Sequence, residues 1–151
     1  MNENELETNE MDVNHPLIDD LLSLELPSQD YAVFGSGPMY AHGLIELGHD
    51  LDLIARGSAW EAASARSAPQ VTKSGDGYVI EIPDSAIEIF DSWAPGDWDI
   101  EALIDEAEEI DGIRFVQLEQ VLKWKKMMNR PKDAEHIRLI EEYLNKNGSQ
   151  N

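Results

Sequence analysis

Two aspartates one residue apart carry the densest chemistry in this sequence, set in Asp50–Leu51–Asp52–Leu53. On a strand, residues i and i+2 share a face, about 6–7 Å apart. Leu51 and Leu53 then take the other face, so the strand is anchored in a core while both carboxylates project together. Like charges that close repel, and each favours its protonated form. A divalent cation removes the conflict, and magnesium takes one or two carboxylates together with a substrate's phosphates. The plain alternative is a strand with one wet face.

Upstream, Gly35–Ser36–Gly37 lies between a short apolar run, Tyr31–Phe34, and a helix that Pro38 can open at its first position. Glycines let the backbone turn sharply and approach a ligand closely. Ser36 adds a hydroxyl, and the helix behind points free N–H groups and the positive end of its dipole at the loop. The plain alternative here is a simple turn.

A third feature is a lysine in the wrong phase. Across Leu118–Met128 the residues Leu118, Val121, Leu122 and Met128 form one apolar face, and Lys125 falls on it. An inward lysine needs a partner or a bound anion. In the next helix Ile137, Ile140 and Leu144 face inward, and Asp133 lies four residues before Ile137. Two readings stay open: a structural Lys125–Asp133 ion pair (or Asp133 stabilising the first helical turn), or Lys125 reaching a phosphate while Asp133 orients Lys125 or Arg130.

Positioning these residues requires a mixed set of elements. The pattern predicts a helix over Leu17–Leu26 ended by Pro27, a strand over Tyr31–Phe34, and a helix over Met39–Leu47 stopped by Gly48. Next come a strand over Asp50–Ala55 and an Ala-rich helix over Ser58–Ala68. Gln70–Ser74 and Tyr78–Ile82 read as a hairpin about Gly75–Asp76–Gly77, followed by a strand over Ala86–Phe90. An acidic helix over Asp99–Glu109, a strand over Ile113–Val116 and two helices, Leu118–Met128 and Pro131–Leu144, complete the chain. Strands, hairpins and helices are mixed, so the fold class is α+β. Residues 1–14 contain no Lys or Arg and little that could pack, and read as an acidic mobile tail before one domain over 15–151.

Composition narrows the function. The 151 residues include 31 acidic and 11 basic side chains, a net charge of −20, and no cysteine. That balance argues against broad duplex nucleic-acid binding, which needs a basic surface. It favours small substrates or a basic protein partner. Seven of the eleven basic residues lie from Lys123 onward, which reads either as a solvated helical surface or as a local cationic site suited to a phosphate. No stretch approaches the roughly 18 apolar residues of a membrane span. The N-terminal sequence lacks the apolar core of a secretory signal, so a cytoplasmic protein is expected.

Together, the stretch VFGSGPMYAHGLIELGHDLDLIARGSAWEA, with 13 residues between Ser36 and Asp50, resembles the nucleotidyltransferase superfamily. VLKWKKMMNRPKDAEHIRLIEEYL is similar to the lysine-containing helix and R–P–K–D–x–x–H/D–(I/L) segment of small bacterial nucleotidyltransferases, including those of abortive-infection and toxin–antitoxin type. The likeness covers residues 31–144, with the centre weakest. It implies a mixed β-sheet flanked by helices with a C-terminal helical pair. It also implies transfer of a nucleoside monophosphate from a nucleoside triphosphate to a hydroxyl of a small molecule, an RNA end or a protein. Carried over, Gly35, Ser36, Lys125, Lys132 and Asp133 would serve the triphosphate, and Asp50 and Asp52 would bind Mg2+ or Mn2+. A third carboxylate on an adjacent strand would take the acceptor proton. Glu88, between Ile87 and Ile89, fits best, with Glu81 and Asp91 as rivals. Family members more often carry Asp there, which leaves a non-catalytic descendant, or a toxin–antitoxin component with a basic partner, as the alternative. An acidic nucleic-acid mimic would explain the charge but not the Gly–Ser turn or Lys125.

Other residues are weaker candidates. His42 reads as a packing or rim residue, His49 as a substrate contact beside the acidic strand, and Arg56 as a phosphate or acceptor contact. Trp60, Trp93, Trp98 and Trp124 read as core or partner-contact residues, one of which could stack a base.

Overall fold

A computed structural model of the chain describes residues 15–148. The acidic tail expected over 1–14 lies outside the described residues. The elements run α1 (Pro16–Ser23), a 3-10 turn (Ser28–Asp30), β1 (Tyr31–Val33), α2 (Gly37–Ala41), β2 (Leu51–Ala55), α3 (Gly57–Ser64), β3 (Gln70–Val71), β4 (Tyr78–Glu81), β5 (Ile87–Phe90), α4 (Ile100–Asp105), β6 (Glu108–Ile110), β7 (Ile113–Phe115), α5 (Leu118–Met128) and α6 (Pro131–Gly148). The architecture is mixed α+β. The seven strands form one sheet in the order β3-β4-β5-β2-β1-β7-β6. β2 runs antiparallel to β1 and parallel to β5, and β1 runs parallel to β7. Among the described residues no helix is long and apolar enough to cross a membrane.

Both faces of the sheet are covered. On one side Leu51, Leu53 and Ala55 pack with Leu17, Ile18 and Leu21 of α1 and Ala59 and Ala63 of α3. On the other, Ala32, Phe34 and Ile54 pack with Leu103 and Ile104 of α4, Val121 and Trp124 of α5, and Ile140 of α6. The plain alternative of a strand with one wet face therefore fails at Ile54, which is buried on the second side. Asp52 shares its face with fully buried Ile54 and is itself half-buried. The Leu–x–Leu alternation located one core, and the second comes from helices distant in sequence.

Two element boundaries differ from expectation for identifiable reasons. α2 stops at Ala41 rather than Leu47 because Gly43, at φ +77°, takes the left-handed conformation. Leu44 N–H reaches back to Met39 O and Gly43 N–H to Tyr40 O, which closes the helix in a Schellman motif. Gly48 ends nothing. The acidic helix expected over Asp99–Glu109 ends at Asp105, and Glu108–Ile110 is strand β6. Asp111 and Gly112, at φ 52° and 82°, make the two-residue turn that folds β6 onto β7. The sequence Asp–Gly carried that signal, and the run of acids obscured it. α1 and α3 end earlier than expected, at Ser23 and Ser64, while α6 runs on to Gly148. The β3–β4 hairpin and helix α5 form where expected.

Candidate functional site

The Gly–Ser turn and the acidic strand meet because β1 and β2 are neighbours. Phe34 N–H donates to Asp52 O at 2.9 Å, which fixes the turn against β2 just as the chain leaves the sheet. Gly35 then turns with φ +63°, and a Cβ built there would lie 3.3 Å from Asp52 Oδ2. Gly37 has no room for a side chain, since a Cβ would fall 2.3 Å from Val33 Cγ1. The two glycines thus bring backbone and carboxylate together: one supplies the conformation, the other the clearance.

The carboxylates form a row across the sheet. Asp50 is exposed and sits one residue before β2, so only Asp52 of the pair is on the strand itself. Glu88 on β5 lies in register with Asp52, and Glu81 on β4 lies in register with Glu88. Asp91 is turned elsewhere, accepting the Tyr78 N–H at 2.8 Å within the hairpin. Burial, then the charges of Asp50 and Glu88, push the Asp52 carboxyl up to about 7. Glu88 is also raised, by burial and by Glu81 and Asp50, with Lys73 opposing. Asp52 Oδ1 is buried and has no hydrogen-bond partner among the described residues. A buried acceptor left in that state is costly unless something else satisfies it.

The opposite wall is cationic and comes from α5, α6 and the link between them. Asp133 is wholly buried and accepts from Arg130 Nε at 2.7 Å, Arg130 Nη2 at 2.9 Å and the Arg130 backbone N–H at 2.9 Å. Those bonds hold its carboxylate down to about 2. Lys125 Nζ lies 3.6 Å from Asp133 Oδ1 and donates to Ser36 Oγ at 3.1 Å. Its side chain is 1% exposed, and burial draws its ammonium down to about 8 despite Asp133. The helical phase thus located Lys125 and Asp133 on facing sides, and both readings of the pair have a counterpart: the ion pair exists, and Asp133 also orients Arg130. Lys125 reaches the site through Ser36 and is not part of the cleft wall.

Two clefts meet at these residues. One, of about 540 Å3, is bounded by Gly35, Ser36, Asp50, Asp52, Arg130 and Lys132, with His49 and His136 also at its wall. The other, of about 450 Å3, lies over Glu81, Glu88, Thr72, Lys73 and Trp93. Asp52 and Trp124 belong to both. No protein-family model, curated protein or solved structure matches this chain. Among the described residues no three His, Asp or Glu gather as they would around a metal held by protein alone. The donor set present is Asp50 and Asp52, with an orphaned buried oxygen on Asp52, and it suits a cation that takes its remaining ligands from phosphate and water.

The remaining candidates separate clearly. His42 bonds Glu108 Oε2 through Nε2 at 2.7 Å and Tyr143 Oη through Nδ1 at 3.2 Å, a rim and packing role away from the acidic row. Arg56 is taken up by Asp30, Glu101 and Asp105 at the far end of β2 and lines neither cleft. Trp93 stacks on Phe34 with centroids 4.4 Å apart, and Trp98 Nε1 donates to Pro95 O. Trp60, on α3, packs half-buried against the edge of the core. Sequence reasoning missed His136 and Lys73. Lys132 and His136 are four residues apart on α6, a spacing that puts both on one helix face and was a usable signal. Lys73 gave none, because only the hairpin brings it over Glu88.

Proposed function

We propose that the chain is a metal-dependent nucleotidyltransferase with a nucleotidyltransferase-like fold, moving a nucleoside monophosphate from a nucleoside triphosphate to an acceptor hydroxyl. The observation that carries this reading is Asp52: a half-buried carboxylate with an orphaned oxygen, between Asp50 and Glu88 and against the Gly35–Ser36 turn. Asp50 and Asp52 would hold Mg2+ or Mn2+, which supplies charge neutralisation at the phosphates and a template for in-line geometry. The cleft containing Ser36, Arg130 and Lys132 takes the triphosphate, and the cleft containing Glu88 and Glu81 takes the acceptor. The acceptor oxygen attacks the α-phosphorus, the bond from the α-phosphorus to the bridging oxygen breaks, and pyrophosphate leaves. Glu88 takes the acceptor proton, a role suited to a carboxylate whose burial and acidic neighbours raise its basicity.

Asp50→Asn with Asp52→Asn should abolish metal-dependent nucleotide binding while the protein stays folded. Calorimetry with each triphosphate, with and without magnesium, reads this directly. Unchanged metal-dependent affinity in the double variant would remove the assignment. Incubation with labelled triphosphates and cell extract then identifies the acceptor.

The buried contact from Lys125 to Ser36 makes a second expectation specific. Lys125→Met and Ser36→Ala should each weaken triphosphate binding more than nucleoside binding. One charge-assisted contact is worth about 1.5–3 kcal/mol, the upper limit for either loss. The double variant should be no worse than the more severe single one, because both changes break one hydrogen bond. Additive losses would show that Lys125 reaches the phosphates independently of Ser36.

A further inference from the structure

Arg130 enters the sequence argument only as a residue that Asp133 could orient, with no contact of its own, yet it is the most firmly held cation at the cleft. Three of its donors are committed to one buried acid: Nε, Nη2 and the backbone N–H all go to Asp133. Its guanidinium carbon sits 5.4 Å from the centroid of the Trp124 ring, so an aromatic face supports the fork from a second side. The side chain nevertheless remains 32% exposed and forms part of the wall that holds Gly35, Ser36, Asp50 and Asp52. Its Nη1 donates to no group among the described residues. An arginine fixed on two sides, lining a cleft and left with free guanidinium donors, is organised in advance for an acceptor that offers two oxygens, and a phosphate group is such an acceptor.

Lys125 is the alternative cation, but its ammonium is enclosed and already spends its contacts on Ser36 and Asp133. Lys132 is exposed at the cleft rim, without the fixed geometry that Asp133 gives Arg130. Asp133 therefore does two things at once: it anchors the buried lysine that orients the Ser36 hydroxyl, and it aims the arginine.

We propose that Arg130 grips the terminal phosphate of the bound nucleotide, with Asp133 as its positioning residue. This rests on the reading of the cleft as a nucleotide site and names the group that recognises a triphosphate there.

The test uses inorganic tripolyphosphate with magnesium, a probe that carries the phosphates without a base, titrated calorimetrically into the full chain. Arg130→Gln should weaken binding roughly 10- to 150-fold. Arg130→Lys, which keeps a cation for Asp133 and so keeps the fold, should recover only part of the loss because an ammonium lacks the fork. Lys132→Met should have the smaller effect, and orthophosphate should show little difference among the variants. Thermal midpoints of each variant establish that it is folded. If wild type binds magnesium tripolyphosphate and both Arg130 variants bind it equally well, the assignment of Arg130 falls while the reading of the cleft stands. A loss confined to Lys132→Met also overturns it. If wild type does not bind the probe, the reading of the cleft falls, and the role of Arg130 with it.

Discussion

Asp133→Ala should destabilise the protein by about 3–5 kcal/mol, the range for removing one partner of a buried ion pair. The carboxylate accepts three bonds from Arg130 and faces Lys125, whose side chain is 1% exposed. Without it the ammonium is enclosed with no counter-charge, and Ser36 is its remaining hydrogen-bond partner. The pH dependence has a fixed sign. Lys125 already titrates near 8, below its ordinary 10.5, because burial disfavours its charge, and Asp133 pulls the other way. Removing Asp133 lowers it further. A lysine depressed in the folded state costs stability at low pH and is relieved as pH rises toward the unfolded value. The deficit of Asp133→Ala should therefore shrink as pH rises from acid to about 8, where Lys125 of the unsubstituted protein also gives up its proton, and stay constant above it, apart from the share that belongs to Arg130. Urea unfolding across that range measures it. Adding Lys125→Met should restore much of the loss at pH 7, and a double variant no more stable than Asp133→Ala would contradict the account.

The second large effect has the opposite sign. Asp52→Asn should stabilise the protein at pH 8 by about 2–4 kcal/mol, since each unit of pKa shift is worth 1.36 kcal/mol. Folding raises the Asp52 carboxyl from an ordinary 3.8 to about 7, so the folded state holds a proton that the unfolded chain has released. Stability then falls as pH climbs from 4 to 7 and stays low above it. At about pH 3 the aspartic acid is largely protonated in both states, and the variant should gain little. Equal midpoints for wild type and Asp52→Asn at pH 8 would show that the carboxylate is well solvated. The gain at pH 8 should accompany loss of metal-dependent binding, the trade expected where a residue is kept for chemistry at the expense of the fold.

What was readable in the sequence follows the range of the signal. Asp52, the Gly35–Ser36 turn and the helix bearing Lys125 rest on local pattern, and the structure sets Gly35 against Asp52 and Lys125 on Ser36. The register that lines up Glu88 with Asp52 is a fact of pairing between strands more than thirty residues apart, and only the Ile–Glu–Ile alternation hinted at its face. Arg56 shows the opposite failure. Its position just past the acidic strand suggested a phosphate contact, but the strand's end carries it to Asp30 and Asp105 instead. The stop at Gly43 was missed because Gly48 offered an equally good terminator for the apolar run, and choosing between them needs the backbone angle.

The ends of the sheet bear on how the protein behaves in a crowded solution. An open sheet leaves unpaired backbone at its two outer strands, a template on which other chains can stack. β6, at one end, is three residues long and carries Glu108 and Glu109, so an approaching strand meets charge and little backbone. β3, at the other, is shorter still, but there Val71 and Tyr78 form an exposed cross-strand pair, 64% and 49% accessible. The two margins are thus defended differently: one by electrostatic repulsion, which acid or salt weakens, and one by brevity alone, which neither does.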